Sequence, residues 1–154
     1  MKVAIGQDSH RIDNNNKEKK LLIGGIEFPA DYSLSANSDG DVVLHAITNA
    51  ISGITCKNIL GKVADDMCKS GITNSEEYLK EALKYLEEKI VHISMSIECL
   101  RPKISPKIEE MRKNIARILQ IEETSVGITA TTGEGLTEFG KGNGISVFVI
   151  LTVE

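Results

Sequence analysis

The segment Val91-His92-Ile93-Ser94-Met95-Ser96-Ile97-Glu98-Cys99 alternates strictly between apolar and polar residues. Successive side chains of a strand point to opposite faces, so the apolar set is expected to face a core and the polar set to face solvent. The segment therefore predicts a half-buried strand with one wet face. His92 lies on that polar face and is interpreted as a solvated histidine.

Further strands are predicted on both sides of this segment. Towards the N-terminus, residues 3–5 and 21–26 look like a pair of strands, separated by a polar, Asn-rich loop. Towards the C-terminus, residues 126–130 and 145–153 supply two more strands. The continuous apolar run at 145–151 indicates a strand that is buried on both sides.

Three helices are predicted from apolar residues at helical spacing. The first follows Ser38-Asp39-Gly40-Asp41, with Ser38 as its N-cap and Gly53 as its end. The second opens at Asn74 and carries its apolar stripe as far as Ile90. The third starts at Ser105-Pro106, with proline in the first turn. Residues 54–73 show no clear period and are interpreted as irregular.

The resulting order is ββ, α, α, β, α, β, β, and a chain of 154 residues is long enough for one domain, residues 1–154. This order predicts an α/β fold with a single mixed β-sheet and helices packed on one face. Because the uncovered face of such a sheet needs a partner, an oligomer is expected.

Composition limits the functions that are open to the chain. The net charge of −4 offers no basic surface for phosphate neutralisation, and six aromatic residues without Trp are few for base stacking, so nucleic acid is not an expected partner. No apolar run is long enough to span a bilayer and no signal-peptide pattern is present, so we expect a cytoplasmic protein without a membrane partner. Three cysteines without a CxxC spacing favour neither a disulfide framework nor a cysteine-built zinc site.

The first candidate site combines Asp8 and His10 in the opening strand with His45 in the first helix. Asp8 and His10 share a strand face because side chains repeat every second residue. Two imidazoles and a carboxylate form a three-ligand zinc set with an open fourth position. The alternative, judged on spacing alone, is a hydrogen-bonded histidine near a strand end and a partly buried helical histidine.

Two loops carry groups that suit phosphate. Residues 37–41 place a serine hydroxyl and helix N–H groups together, although an ordinary N-cap with acidic first-turn residues is the simpler interpretation. Residues 130–135, Ala-Thr-Thr-Gly-Glu-Gly, offer two hydroxyls and one carboxylate that could hold a diphosphate and a magnesium ion. The alternative for this second loop is a plain turn at a strand end.

Several motifs together resemble one enzyme family. They occur in the order Gly6-Gln7-Asp8-Ser9-His10, Ile23-Gly24-Gly25-Ile26, Ser38-Asp39-Gly40-Asp41-Val42-Val43-Leu44-His45-Ala46, Arg101-Pro102-Lys103, Met111-Arg112 and Ala130-Thr131-Thr132-Gly133-Glu134. Together they resemble the 2-C-methyl-D-erythritol 2,4-cyclodiphosphate synthases of the non-mevalonate isoprenoid pathway, nearly from end to end.

The resemblance implies a homotrimer with active sites between subunits. It implies cyclisation of 4-diphosphocytidyl-2-C-methyl-D-erythritol 2-phosphate with release of CMP, assisted by zinc and by magnesium or manganese. It assigns zinc to Asp8, His10 and His45, the second metal to Glu134, and catalytic roles to Thr132 and Asn37. The substrate-binding residues that it implies are Asp8, Ser9, His10, Asn37, Ser38, Gly61, Asp66, Lys103, Thr131, Thr132, Glu134, Phe139 and Lys141.

Some positions depart from the pattern of that family. Asn37 replaces a histidine that helps to stabilise the transition state, and asparagine cannot carry a positive charge. Ile59 stands where the family has an aspartate that contacts the erythritol, and a Phe-Pro-Asp turn reads Ala64-Asp65-Asp66. Lys141 replaces an arginine and lacks its planar fork. These departures keep two alternatives open: a non-catalytic zinc- and cytidine-nucleotide-binding homologue, and a zinc hydrolase acting on a nucleotide diphosphate.

Overall fold

The computed structural model describes all 154 residues and contains seven strands. They are β1 (Lys2–Asp13), β2 (Leu21–Ile23), β3 (Ile26–Phe28), β4 (Ser33–Leu34), β5 (Ile90–Glu98), β6 (Val126–Thr131) and β7 (Gly144–Val153). Five of them form one mixed sheet in the order β4-β1-β7-β5-β6. Only β5 and β6 pair in parallel. The main sheet of the predicted α/β fold is therefore confirmed.

The strands β2 and β3 do not join this sheet. They pair with each other as a separate hairpin, so the predicted single sheet is wrong, and the predicted strand at residues 21–26 is a hairpin instead. The reason is the turn at Gly24 and Gly25, whose φ angles are 65° and 77°. Two consecutive residues with positive φ make the tight turn of a two-residue hairpin, which folds the apolar run back on itself.

Four helices accompany the strands: α1 (Val42–Thr55), α2 (Lys62–Lys69), α3 (Ser75–Leu83) and α4 (Ile108–Leu119). The helix α2 falls within the segment that was predicted to be irregular. It buries only Ala64, so its sequence shows no apolar stripe. The predicted second helix is also too long, because α3 ends at Leu83 and Ile90 already belongs to β5. A short 3-10 turn at Ser105–Lys107 leads into α4.

Both predicted ends of α1 need correction. Asp41, not Ser38, is the N-cap, because its carboxylate accepts the N–H of Leu44 at 3.1 Å. The helix passes through Gly53 and ends at Thr55. Gly53 lies against β1 instead of stopping the helix, since a Cβ there would be 3.1 Å from the Cβ of Ala4.

The helix α1 lies directly on β1 at Gly6. A Cβ built on Gly6 would be 2.0 Å from the carbonyl oxygen of Ala46 and 2.5 Å from the nitrogen of Ala50. The backbones of strand and helix therefore meet with no side chain between them, which is possible only because residue 6 is glycine.

The main sheet buries one face and exposes the other. Ile93, Met95 and Ile97 of β5 are buried as the alternation predicts. Val91 is 38% exposed instead, because the pairing of β5 with β7 shifts between Ile90 and His92. Large apolar side chains remain on the second face: Val3, Ile5, Phe148 and Ile150 are 50–63% exposed. The strand β7 is thus buried on one side only within the single chain, contrary to the prediction for residues 145–151.

None of the helices is both long and apolar enough to cross a lipid bilayer.

Candidate active site

Three donor atoms converge where β1 meets α1. The Oδ2 atom of Asp8 lies 2.9 Å from Nε2 of His10 and 3.2 Å from Nδ1 of His45. The two imidazole nitrogens are 3.2 Å apart. Asp8 and His10 share the face of β1 that packs against α1, and His45 stands on the first turns of that helix, so the fold itself assembles this metal triangle.

The geometry of the metal triangle fits a divalent metal. Zinc bonds of 2.0–2.1 Å at tetrahedral angles separate neighbouring donor atoms by about 3.3 Å. The three observed distances are close to this value, and the donor set of two imidazoles and one carboxylate is one that leaves a fourth position open. Asp8, His10 and His45 therefore form a candidate site for a divalent metal ion.

The outer nitrogen of each imidazole also has a partner. His10 Nδ1 lies 3.1 Å from the carbonyl oxygen of Ser35, which can only accept a hydrogen bond, so Nδ1 is the protonated nitrogen. His45 Nε2 lies 2.7 Å from the hydroxyl oxygen of Ser75. Neither serine was singled out from the sequence, because both lie far along the chain from the histidine that they contact.

The charges of the metal triangle are coupled. Burial opposes ionisation of Asp8, but the hydrogen bonds from His10 and His45 outweigh it and hold the carboxyl pKa below its ordinary value. Burial also opposes protonation of His10, but the hydrogen bond to Asp8, the charge of Asp8 and the carbonyl of Ser35 together outweigh burial and raise the pKa. An ionised carboxylate beside a protonatable imidazole is the arrangement from which a metal ion displaces protons.

A cavity of about 260 Å³ opens beside the metal triangle. Asn37, Ser38 and Gly61 line it, as the resemblance implies. The larger cavity of the molecule, about 810 Å³, lies at the other end of the sheet around Leu86 and Ile121 and contains none of the predicted site residues. Size alone therefore does not locate the site.

Two residues of the α2 region lie elsewhere than expected. Asp65, which the sequence analysis did not select, lines the cavity, whereas Asp66 turns outwards and pairs with Lys62 at 2.7 Å. Asp66 is thus not on the cavity wall of this chain. Ile59 is buried in the core at 2% exposure, so it offers the cavity no contact in place of the aspartate of the family.

The side chain of Ser9 points to the opposite face of β1 from those of Asp8 and His10, because side chains alternate along a strand. Asp8 and His10 point towards α1, and the side chain of Ser9 is exposed and outside the cavity. Any contact of Ser9 with a ligand in the cavity would have to involve its backbone.

The other predicted site residues form a second group, the distal loops, around the ends of β5 and β6. Thr131 and Thr132 use their hydroxyls to accept the N–H groups of Gly133 and Glu134, at 3.0 and 3.3 Å. Glu134 is exposed. Three further predicted residues belong to the distal loops: Lys103, which is exposed, Phe139, whose carbonyl accepts the N–H of Leu100, and Lys141, whose ammonium lies 3.3 Å from Glu138.

The threonines of the distal loops lie away from the metal triangle within one chain. Thr131 pairs with Glu98, Glu98 with Ser146, and Ser146 with Ser9. These three strand spacings separate Ser9 from Thr131 by about 14 Å. Thr131 is therefore separate from the metal triangle within one chain, whereas the ring of Phe139 packs on Gly144, which pairs with Arg11 next to His10.

Cys99 is not suited to act as a catalytic thiol. All three cysteines are free. Burial raises the pKa of the Cys99 thiol to about 11, which disfavours the reactive thiolate.

The sequence and the α/β fold of this chain are shared with known proteins. The profile of the YgbB family matches residues 1–154, so the chain belongs to the YgbB family. The 2-C-methyl-D-erythritol 2,4-cyclodiphosphate synthase of Chlamydia muridarum is 51% identical to it, over 99% of this chain and 87% of the relative. The enzyme of the same name from Chlamydia caviae is 49% identical, over 99% and 88%.

Solved structures agree with the sequence relatives. A structure of 2C-methyl-D-erythritol-2,4-cyclodiphosphate synthase superimposes with a TM-score of 0.87 at 26% identity, covering 99% of this chain and all (100%) of that chain. The IspF of Plasmodium falciparum in complex with CDP superimposes with a TM-score of 0.82 at 26% identity, over 98% of this chain and 94% of that chain.

Proposed function

We infer that the chain converts 4-diphosphocytidyl-2-C-methyl-D-erythritol 2-phosphate into 2-C-methyl-D-erythritol 2,4-cyclodiphosphate and CMP. The observation that carries this inference is the metal triangle of Asp8, His10 and His45, which opens into a cavity lined by Asn37 and Ser38. The chain is also about half identical, along its whole length, to enzymes named for this reaction.

The reaction is an intramolecular phosphoryl transfer. An oxygen of the 2-phosphate attacks the β-phosphorus of the diphosphate, and the bond from that phosphorus to the oxygen of CMP breaks. When bound at Asp8, His10 and His45, a divalent ion, which we propose to be zinc, supplies Lewis-acid polarisation and neutralises phosphate charge. Glu134 is the residue that we propose for magnesium or manganese at the diphosphate.

The chain's own residues bind and orient the phosphates. Asn37 and Ser38 are placed to donate neutral hydrogen bonds at the mouth of the cavity beside the metal triangle. We assign the two threonine hydroxyls of the distal loops to the diphosphate, with Thr132 nearest to the reacting phosphorus. Lys103 and Lys141 add positive charge, and Gly61 and Phe139 shape the walls around the substrate.

We propose that a homotrimer completes each site. Two features support this assembly: Thr131 is about 14 Å from Ser9, next to the metal triangle, within a chain, and the open sheet face carries exposed Phe148 and Ile150. Copies packed through this face would cover the apolar side chains and bring the distal loops of one subunit to the metal triangle of another. Residues 1–154 then form one unit of the trimer. A cytoplasmic location stays a prediction from the sequence.

The test is direct. Purified protein with zinc and magnesium is incubated with the diphosphocytidyl substrate, and CMP and the cyclic diphosphate are measured. We expect both products, and we expect His45→Ala to lose activity together with bound zinc, because one of three ligands is gone. Ser70→Ala is the control, since Ser70 is exposed at the end of α2 and belongs neither to the metal triangle nor to the open sheet face. CMP without cyclic product would indicate the hydrolase, and nucleotide binding without CMP would indicate the non-catalytic homologue.

A further inference from the structure

The imidazole of His45 has a buried contact on the side that faces away from the metal triangle. Its Nε2 atom lies 2.7 Å from the hydroxyl oxygen of Ser75, the first residue of α3. Ser75 is fully buried and His45 is 7% exposed, so water does not compete for this contact. The contact therefore joins α3 to a metal ligand that stands on α1.

Asp39 holds Ser75 in place through both of its carboxylate oxygens. The backbone N–H of Ser75 donates to Oδ2 at 2.9 Å, and the hydroxyl of Ser75 donates to Oδ1. The backbone of Asp39 is itself fixed, because its N–H donates to the carbonyl oxygen of Thr73 at 2.9 Å. The serine hydroxyl thus has one defined orientation.

The donor and the acceptor of each hydrogen bond between Asp39, Ser75 and His45 are determined. An ionised carboxylate can only accept hydrogen bonds, so the single hydroxyl hydrogen of Ser75 is directed at Asp39. The hydroxyl oxygen is then left as an acceptor towards His45, and Nε2 of His45 must carry the proton. Nδ1 then faces the metal triangle, and a proton that it shares there with Oδ2 of Asp8, at 3.2 Å, is the one that a metal ion displaces.

We propose that Ser75, oriented by Asp39, is a positioning residue that holds His45 in the tautomer with Nδ1 free to bind the metal. The proposal rests on the metal site of the proposed function and adds what keeps that site ready. His10 receives the equivalent support from a backbone carbonyl, which no side-chain substitution can remove. The orientation of His45 depends instead on the side chains of Ser75 and Asp39, both of which can be substituted.

The first experiment measures zinc affinity by competition with a chromogenic chelator. Ser75→Ala should weaken zinc binding about 10- to 100-fold, the usual effect of losing an outer partner of a metal-binding histidine. Ser70→Ala should bind zinc as the unchanged protein does, because Ser70 is exposed and its hydroxyl only contacts Met67 at the end of α2. His45→Ala should lose the site.

The second experiment reads the tautomer without metal and without activity. In ¹⁵N-histidine-labelled protein with EDTA at alkaline pH, the imidazole shifts of His45 should report a proton on Nε2. Ser75→Ala should move that proton towards Nδ1, because the carboxylate of Asp8 at 3.2 Å is then the remaining acceptor. A loss of stability alone would not change the tautomer of folded molecules, so this readout separates positioning from a structural role.

Asp39→Asn provides a second variant in case Ser75→Ala does not fold. The carboxamide of Asn has one oxygen, whereas the N–H and the O–H of Ser75 each donate to a separate oxygen of Asp39. The Ser75 hydroxyl is then less firmly oriented, so a mixture of His45 tautomers and weaker zinc binding are expected for this variant too. Unchanged zinc affinity and a single His45 tautomer in the folded variants would overturn the role of Ser75, even though His45→Ala loses zinc. Unchanged zinc binding in His45→Ala would instead overturn the metal site itself.

Discussion

Asp41 gives a pH dependence of stability that can be worked out from its contacts. Its buried carboxylate accepts three backbone N–H groups, from Gly24 at 2.8 Å, Gly25 at 2.6 Å and Leu44 at 3.1 Å, and so ties the β2–β3 hairpin to the start of α1. Burial raises its pKa from 3.8 to about 6; the three N–H groups counteract this, and the nearby charge of Asp39 adds to it.

The sign of the pH dependence follows from which state of the protein, folded or unfolded, binds the proton of Asp41. Between pH 3.8 and about 6 the folded protein retains a proton that the unfolded chain has released. The free energy of unfolding therefore falls as pH rises through this window, and the contribution is lost above it. At about 1.4 kcal/mol for each pKa unit, the total is about 3 kcal/mol.

Asp41→Asn removes this titration while nearly preserving shape. The amide oxygen can still accept from Gly24 and Leu44, but the NH₂ group then faces the N–H of Gly25, which costs about 1–3 kcal/mol at every pH. We expect the unchanged protein to be more stable than Asp41→Asn at pH 4, and this advantage to shrink by about 3 kcal/mol by pH 7.

The assay is urea unfolding of both proteins in EDTA at pH 4 and pH 7, at equal protein concentration. EDTA removes metal binding, and the comparison of two variants cancels the titration of His10 and of the other shared groups. An advantage of the same size at both pH values would refute the raised pKa of Asp41 and the reasoning built on it.

Three further predictions concern turnover, assembly and packing. Asn37→His should raise turnover about 10- to 100-fold, equivalent to ~1.4–3 kcal/mol of transition-state stabilisation, and change KM less; unchanged steady-state turnover would show that Asn37 is fully compensated. Phe148→Asp should yield monomers by light scattering, whereas Tyr85→Asp, away from the open face, should not; a trimer in both variants would reject this face as the interface. Gly6→Ala should lower the free energy of unfolding by about 3 kcal/mol, because the added Cβ would overlap the backbone of α1 at Ala46. Gly53→Ala should lower it less in the same denaturation experiment, because the added Cβ would meet only the side chain of Ala4.

Local patterns predicted those parts of the molecule that local physics determines. Alternation in β5 and β1 fixed which side chains share a face, and this placed Asp8 beside His10 correctly. The helical spacing after Asp41 placed His45 on α1. These rules depend on residues that are close in sequence, and the pairing of β5 with β7 overrode them at Val91.

Long-range contacts explain what the sequence did not reveal. The partnership of Ser75 with His45 joins residues 30 positions apart, and no local pattern reports it. Gly53 was interpreted as a helix stop, since the approach of Ala4 that requires it comes from another strand. Asp65 and Asp66 are adjacent identical residues, and only the rotation of α2 decides which of them lines the cavity.

The contact between Gly6 and α1 has a consequence for metal exchange. Gly6 is two residues from Asp8, and the carbonyl that it touches belongs to Ala46, next to His45. The spacing of the donor atoms is therefore set by two backbones in direct contact, and no flexible side chain can act as a spacer between them. Such a preorganised site adapts poorly to ions of different size. Ions whose bonds match the existing spacing should be retained, and larger ions such as calcium should be rejected by a frame that cannot widen.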